Sequence, residues 1–244
     1  MKSIIDGENI ISPSLKGKNF RELDDSISWR NPLFNSFFDS AKINPTAHKK
    51  DILIDAFEFV CALILVVLFA PIMIATAIAI RISSKGSVFY KQIRVGKNGE
   101  HFNIYKFRSM IQNAEVHTGI TLSWEGDPRI TKLGDFLRKS HIDELPQLLN
   151  ILRGEMSFIG PRPERPEFTD VYVQDITNYK VRENVKPGIT GLAQIACVYD
   201  AKAPDKLKYD LLYILHKDSY LLNLLIAWYT AKKMLFLKGT AELV

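Results

Sequence analysis

The stretch HIDELPQLLNILRGEMSFIGPRPERPEF, residues 141–168, sets two adjacent carboxylates, Asp143 and Glu144, just ahead of Pro146 and follows them with a proline-rich run carrying Arg162 and Arg165. An ionised carboxylate can attack phosphorus or hold a divalent cation, and two neighbours can divide those tasks. Mg2+ asks for one or two protein carboxylates, because substrate phosphate and water complete its oxygen shell. Arg138, Arg153, Arg162 and Arg165 add planar guanidinium forks that match phosphate oxygens, and a proline-stiffened loop loses less entropy in holding them. The residue types point to phosphoryl chemistry. Capping also accounts for the acids: with Asp143 as N-cap, Glu144 opens a helix and Pro146 falls in its first turn, where a missing N–H costs little.

Other chemistries have less in their favour. The chain contains no GxxxxGK[ST] phosphate loop, no GxGxxG after a strand, no GxSxG elbow and no HExxH helix. His48, His101, His117, His141 and His216 are scattered without metal-ligand spacing. Cys61 and Cys197 are far apart, and Cys61 lies in an apolar run, so neither a disulfide framework nor a thiolate metal site is indicated and a reducing compartment fits.

The elements that must position these groups begin with a hydrophobic one. Residues 59–80, FVCALILVVLFAPIMIATAIAI, carry no charge and as a helix would span about 33 Å, enough for a hydrocarbon core. Pro71 removes a backbone donor in mid-run and predicts a bend. Lys49 and Lys50 precede the run and Arg81 and Lys85 follow it, and equal basicity at both ends suits a hairpin with both ends on the cytoplasmic side. A kinked crossing helix satisfies the same residues; a buried helix of a soluble core fits them least. Residues 220–239 read as a second membrane element, a helix on the bilayer surface with Trp228 and Tyr229 at the interface, or else a helix packed on its own domain.

Between them, residues 87–94 and 101–107 are β-prone and flank GKNG, which predicts a β-hairpin bringing Lys106 and Arg108 towards a bound anion. Residues 126–152 read as turn, short helix with an apolar stripe at Leu133, Phe136 and Leu137, break, and second helix. Residues 160–166 are a stiff loop and residues 185–195 a turn-rich one. Residues 1–50 are polar and mixed, without a signal-peptide pattern, and read as an accessory segment. At 244 residues one main domain is expected; 47% apolar and 24% charged residues exclude wholesale disorder, and a net charge of +5 favours anionic partners. No helix-turn-helix or RNA-recognition signature supports a nucleic-acid partner.

KFRSM (residues 106–110), DPRITKLGDFLRKSHIDELPQLLNILRGEMSFIGPRP (residues 127–163) and VKPGITGLAQI (residues 185–195) closely resemble the bacterial sugar transferase family, the monotopic phosphoglycosyl transferases. The resemblance runs from about Ile52 to the C-terminal helix and leaves out residues 1–50. It implies an α+β, predominantly helical fold: a re-entrant membrane helix-break-helix over residues 51–82, broken at Pro71, then a catalytic domain over residues 83–244 with a small β-hairpin and interfacial amphipathic helices. Ala70 stands where the family often has serine before that proline. The implied activity moves a sugar 1-phosphate from a UDP-sugar to a polyprenol phosphate such as undecaprenyl phosphate, releasing UMP, at the cytoplasmic face of a bacterial inner membrane. This would open the synthesis of a surface polysaccharide, lipopolysaccharide, capsule or other glycoconjugate. Asp143 would form the phosphosugar intermediate and Glu144 would assist and bind Mg2+. Lys106, Arg138 and Arg162 would contact phosphates, and Pro161 and Pro163 would shape the nucleotide loop. Membrane lipid is an implied partner, and a homodimer is compatible. A non-catalytic membrane-anchored scaffold of a glycan-assembly complex is the competing expectation.

Overall fold

The uncharged run of residues 59–80 satisfies its backbone most simply as helix, and helix α1 runs from Asp51 to Ser83. The structure, a computed structural model, describes residues 51–236 apart from 117, 118, 120, 122, 125, 177 and 198–200. The expectations for residues 1–50 and for the end of the C-terminal segment lie outside these. The break expected at Pro71 is not there, since α1 continues through it. Pro71 lies on the exposed face, and the opposite face is anchored on both sides of it, so the loss of one N–H bond does not end the helix.

That anchored face belongs to two different cores. Ala62, Leu65 and Val66 pack with Phe102, Ile104, Leu148, Ile151 and Met156. Further along, Met73, Ala77 and Ile80 pack with Phe107 and Leu137. Polar contacts fasten both ends. Asp55 pairs with Lys186 at 2.9 Å, and Glu58 accepts hydrogen bonds from the Ser157 hydroxyl and from the Phe158 N–H, the latter at 3.0 Å. Arg108 donates to the carbonyls of Ser84 (2.9 Å) and Lys85 (3.0 Å), tethering the exit of α1. The other faces expose Phe57, Val60, Ile64, Val67, Leu68, Ile74, Ile78 and Ile82.

The expected hairpin follows as β1 (Phe89–Val95) and β2 (His101–Phe107), antiparallel with Phe89 opposite Phe107 and Val95 opposite His101. Asn98 and Gly99 take left-handed φ of 57° and 77° to close it. The outer edge of β2 is closed by a side chain. Asn150, fully buried, accepts from the Tyr105 N–H (3.1 Å) and donates to the Asn103 carbonyl (2.7 Å), as a neighbouring strand would.

Helix α2 (Lys132–Lys139) is capped by the Thr131 hydroxyl, which accepts from the Gly134 N–H at 2.9 Å. Leu137 is buried as its stripe predicts, whereas Phe136 is exposed. A 3-10 turn (Ile142–Gln147) leads into α3 (Leu148–Leu152), which carries Asn150.

Strand β3 (Ser157–Ile159) pairs in parallel with β4 (Gly188–Thr190), a contact that joins the two glycine-containing loops read from the sequence. A Cβ built on Gly188 would fall 2.1 Å from the Gly160 nitrogen, and one on Gly191 would fall 2.1 Å from the Gly160 carbonyl oxygen. Backbone crosses backbone here without room for a side chain, and the loop beginning at Pro161 leaves from this crossing. Helices α4 (Pro166–Asp175), α5 (Leu192–Ala196), α6 (Ala203–His216) and α7 (Tyr220–Phe236) complete the domain. A third core joins α5, α6 and α7 through Leu192, Ile195, Leu212, Leu222, Ile226 and Tyr229. Helix α7 combines both sequence readings: Tyr229 is buried rather than interfacial, while Leu221, Leu224 and Trp228 are exposed.

Gly188→Ala is expected to lower stability by about 1–3 kcal/mol, the usual cost of overpacking. Thermal unfolding in detergent micelles would show it, because no rotamer change relieves a clash with backbone.

Candidate active site

The acids sit at the junction of α2 and α3, but not as a helix cap. His141 occupies the position before the 3-10 turn with a left-handed φ of 56° and caps nothing with its side chain; Asp143 lies inside the turn. An N-cap needs extended backbone ahead of the first turn, and Asp143 does not have it. The expected capping is thus replaced by a tighter turn that buries Asp143.

Glu144 is the meeting point of two cations. Its Oε1 accepts from Lys106 Nζ on β2 at 2.5 Å and from Arg162 Nη2 in the proline-rich loop at 2.9 Å. Burial alone would raise the Glu144 carboxyl, but Arg162 and Lys106 outweigh it and hold the group well below the usual carboxylate range. Burial lowers Lys106, with the Glu144 charge working against that shift. The Glu144 charge, first among its neighbours, raises Arg162.

Asp143 differs. It is buried and makes no side-chain hydrogen bond or ion pair with any described residue. Burial pushes its carboxyl up to about 6; Lys106 opposes the rise, Glu144 adds to it, and Arg138 and Arg162 oppose it. Two adjacent acids are thereby made unequal: one clamped and held ionised, the other unclamped and raised to about 6.

Arg138 donates from Nη2 to the Ser123 hydroxyl at 2.8 Å, while its Nη1 is buried without a partner. An anion would satisfy that nitrogen. The Arg162 loop is held by its backbone as well as by its side chains. Arg182, paired with buried Asp210 at 2.8 Å, donates to the Arg162 carbonyl at 2.9 Å, and Arg94 donates to the Pro163 carbonyl at 3.1 Å. The Pro161 carbonyl accepts from the Gly188 N–H at 3.0 Å, which ties the start of the loop to β4.

Not every expected cation converges here. Arg108 is spent on the exit of α1, Arg153 stacks on Tyr105, and Arg165 pairs with Glu115 at 2.7 Å. Other residues belong to the site with no local sequence signal. The charge of Lys233, on α7, acts on Glu144, Arg162 and His141. Gln147, one turn after Asp143, is almost wholly buried with both side-chain polar atoms unpartnered. Asn150 fixes the backbone next to Lys106.

For a divalent cation, the described residues hold no group of three or more His, Cys, Asp or Glu that would cage it unaided. An ionised Glu144 beside Asp143 fits an ion that takes most of its oxygens from phosphates and water.

Geometry and surface together define a class: a protein with a membrane-compatible helix beside a carboxylate clamped by two cations. Helix α1 is long and apolar enough to cross a membrane and is only 11% buried over its most apolar window, unlike a soluble core helix. The sequence model of the bacterial sugar transferase family matches residues 49–237, and the chain belongs to that family. It is 45% identical over 181 residues to a UDP-N-acetylgalactosamine-undecaprenyl-phosphate N-acetylgalactosaminephosphotransferase of Aeromonas hydrophila, covering 73% of this chain and 42% of that protein. It is 43% identical over 140 residues to a UDP-glucose:undecaprenyl-phosphate glucose-1-phosphate transferase of Escherichia coli K12, covering 57% and 30%. The exopolysaccharide production protein PSS of Rhizobium leguminosarum bv. phaseoli is 37% identical over 167 residues, covering 65% of this chain and 84% of the relative. The chain thus spans less than half of the first two relatives and most of the third.

The inequality of the acids is testable without turnover. Infrared difference titration of the carboxyl groups should place Asp143 near 6. Glu144→Gln removes a like charge and should move it down; Lys106→Met removes an opposing cation and should move it up.

Proposed function

We propose that the protein is a phosphoglycosyl transferase that moves a sugar 1-phosphate from a UDP-sugar to a polyprenol phosphate such as undecaprenyl phosphate, at the cytoplasmic face of a bacterial inner membrane. The observation that carries this is Asp143: a buried carboxylate with no side-chain partner among the described residues, beside a second acid held by two phosphate-matching cations. The relatives' names specify UDP-sugars and undecaprenyl phosphate, but differ between N-acetylgalactosamine and glucose. The proposal therefore extends to the nucleotide-sugar class.

In the first step an Asp143 carboxylate oxygen bonds to the phosphorus that bears the sugar. The bond from that phosphorus to the bridging oxygen breaks, and UMP departs with the bridging oxygen and its electron pair. In the second step a phosphate oxygen of the polyprenol phosphate bonds to the same phosphorus, the Asp143–phosphorus bond breaks, and the carboxylate is regenerated. Arg138, with a free buried Nη1, and Arg162 are placed to neutralise the phosphate oxygens, and the Lys106 and Arg182 contacts keep that arrangement rigid. Glu144 would hold Mg2+ through Oε2, since both its contacts use Oε1, and the ion would supply charge neutralisation on the diphosphate.

Attachment on one side of the membrane is part of the reading. Contacts to the same domain run along α1 from Asp55 to Ile80, about 38 Å of helix. A helix crossing perpendicular to the bilayer would carry one of those ends, with its docked partners, to the far side. A helix that enters and stays in one leaflet keeps both with the domain.

Incubated with Mg2+, UDP-sugars and polyprenol phosphate, the enzyme should release UMP; UDP as the nucleotide product would exclude this mechanism. Asp143→Asn should abolish UMP release and the sugar-phosphate adduct in intact mass spectra, and near-normal turnover would remove Asp143 from the chemistry. Because the nucleophile must be ionised, the first-step rate should be lost as pH falls through about 6 and level off above it.

A further inference from the structure

The inward stripe of α7 breaks its own pattern at the end nearest the acids. Leu222, Ile226 and Tyr229 face the core at helical spacing and are nearly or wholly buried. The next inward position is Lys233. It is half-buried, it donates to the Gln194 carbonyl at 3.3 Å, and it has no carboxylate in an ion pair among the described residues. A lysine in an apolar stripe carries a desolvation cost that Met or Leu would not, so an ionic partner is missing from this arrangement. Its neighbour Lys232 is exposed to solvent.

The register of α7 aims Lys233 at the site. Thr230, one turn earlier, shares a hydrogen bond of 2.7 Å with Thr190 at the end of β4. The Thr190 carbonyl in turn accepts from the Gly160 N–H at 2.9 Å, two residues before Arg162. Helix α7 is therefore docked on the same crossing that launches the Arg162 loop, and the Lys233 charge acts on Arg162, Glu144 and His141. The opposite side of α7 is apolar and aromatic, with Leu221, Leu224 and Trp228 exposed. Such a helix rests on a bilayer with its outer face in the acyl boundary. Lys106, Arg138 and Arg162 lie instead on a strand, a short polar helix and a loop of the domain.

We propose that Lys233 binds the phosphate of the lipid acceptor. A polyprenol phosphate keeps its chain among the lipids and presents only its headgroup, so the cation that receives it must sit on an element that borders both lipid and the reacting centre. Lys233 is the described lysine that meets this condition from α7, and its ammonium suits a phosphate that must bind and then leave as part of a diphosphate, since it offers charge without a bidentate fork. The inference rests on the proposed activity and assigns the second half-reaction's substrate to a side chain outside the acid and arginine motifs.

The experiment separates the two half-reactions. UMP release and adduct formation are measured with UDP-sugar alone, and full turnover is measured with polyprenol phosphate titrated in micelles, for wild type, Lys233→Met, Lys233→Arg and Lys232→Met. Expected is a rise in acceptor KM of about tenfold or more for Lys233→Met, the size of one charged hydrogen bond. Its adduct formation should be little changed, its melting temperature should not fall, Lys233→Arg should recover part of the loss, and Lys232→Met should behave as wild type. An unchanged acceptor KM overturns the assignment, as does a defect confined to adduct formation or to the KM for UDP-sugar, which would place Lys233 on the donor. Wild-type enzyme that releases no UMP would overturn the parent reading and this one together.

Discussion

Three segments of the chain meet on a single oxygen, Oε1 of Glu144. Lys106 reaches it from β2, Arg162 from the proline-rich loop, and Glu144 itself comes from the 3-10 turn between α2 and α3. Two cations on one half-buried carboxylate leave the cluster with surplus positive charge; Lys106 acts from inside the domain, whereas Arg162 is exposed and more strongly screened by solvent. Asp143 lies within this field but outside the clamp, so burial dominates its titration. One interaction therefore fixes the loop, the strand and the turn relative to one another and also makes two chemically identical side chains different.

The clamp depends on supports that are less conspicuous. Lys106 is placed because Asn150 completes the edge of β2 one residue away, at Tyr105. Arg162 is placed because its carbonyl is gripped by Arg182 and the loop starts from a crossing where Gly160, Gly188 and Gly191 allow backbones to touch. None of these groups has to meet a substrate. They fix atom positions, which is what a pre-organised electrostatic site requires.

Much of this was legible in the sequence, and the division has physical causes. The charge-free run and the hairpin around GKNG are local patterns, and each appears where local physics places it. Local reasoning failed where a distant contact decides the outcome. Asp143 looks like a cap until His141 takes a left-handed turn ahead of it. Pro71 looks like a break until two cores are seen to hold the helix on either side. Arg153 and Arg165 resemble Arg162 in sequence but are claimed by Tyr105 and Glu115, and nothing adjacent to Lys233 announces the acids. The parallel pairing of β3 with β4 joins segments about thirty residues apart, beyond any turn signal.

Helix α1 has a consequence for how the molecule comes into being. Its Ala62 and Ile80 are interior residues of the same clusters that enclose Phe102, Ile104 and Phe107, so the hairpin bearing Lys106 has no finished interior until α1 lies against it. Helix α1 precedes the hairpin in the chain, so it is made before the partners it packs against, and the domain closes its interior by folding back onto it. The order of elements along the chain makes α1 the first-made wall of that interior, and a chain that loses the inward face of α1 loses the packing of the hairpin with it.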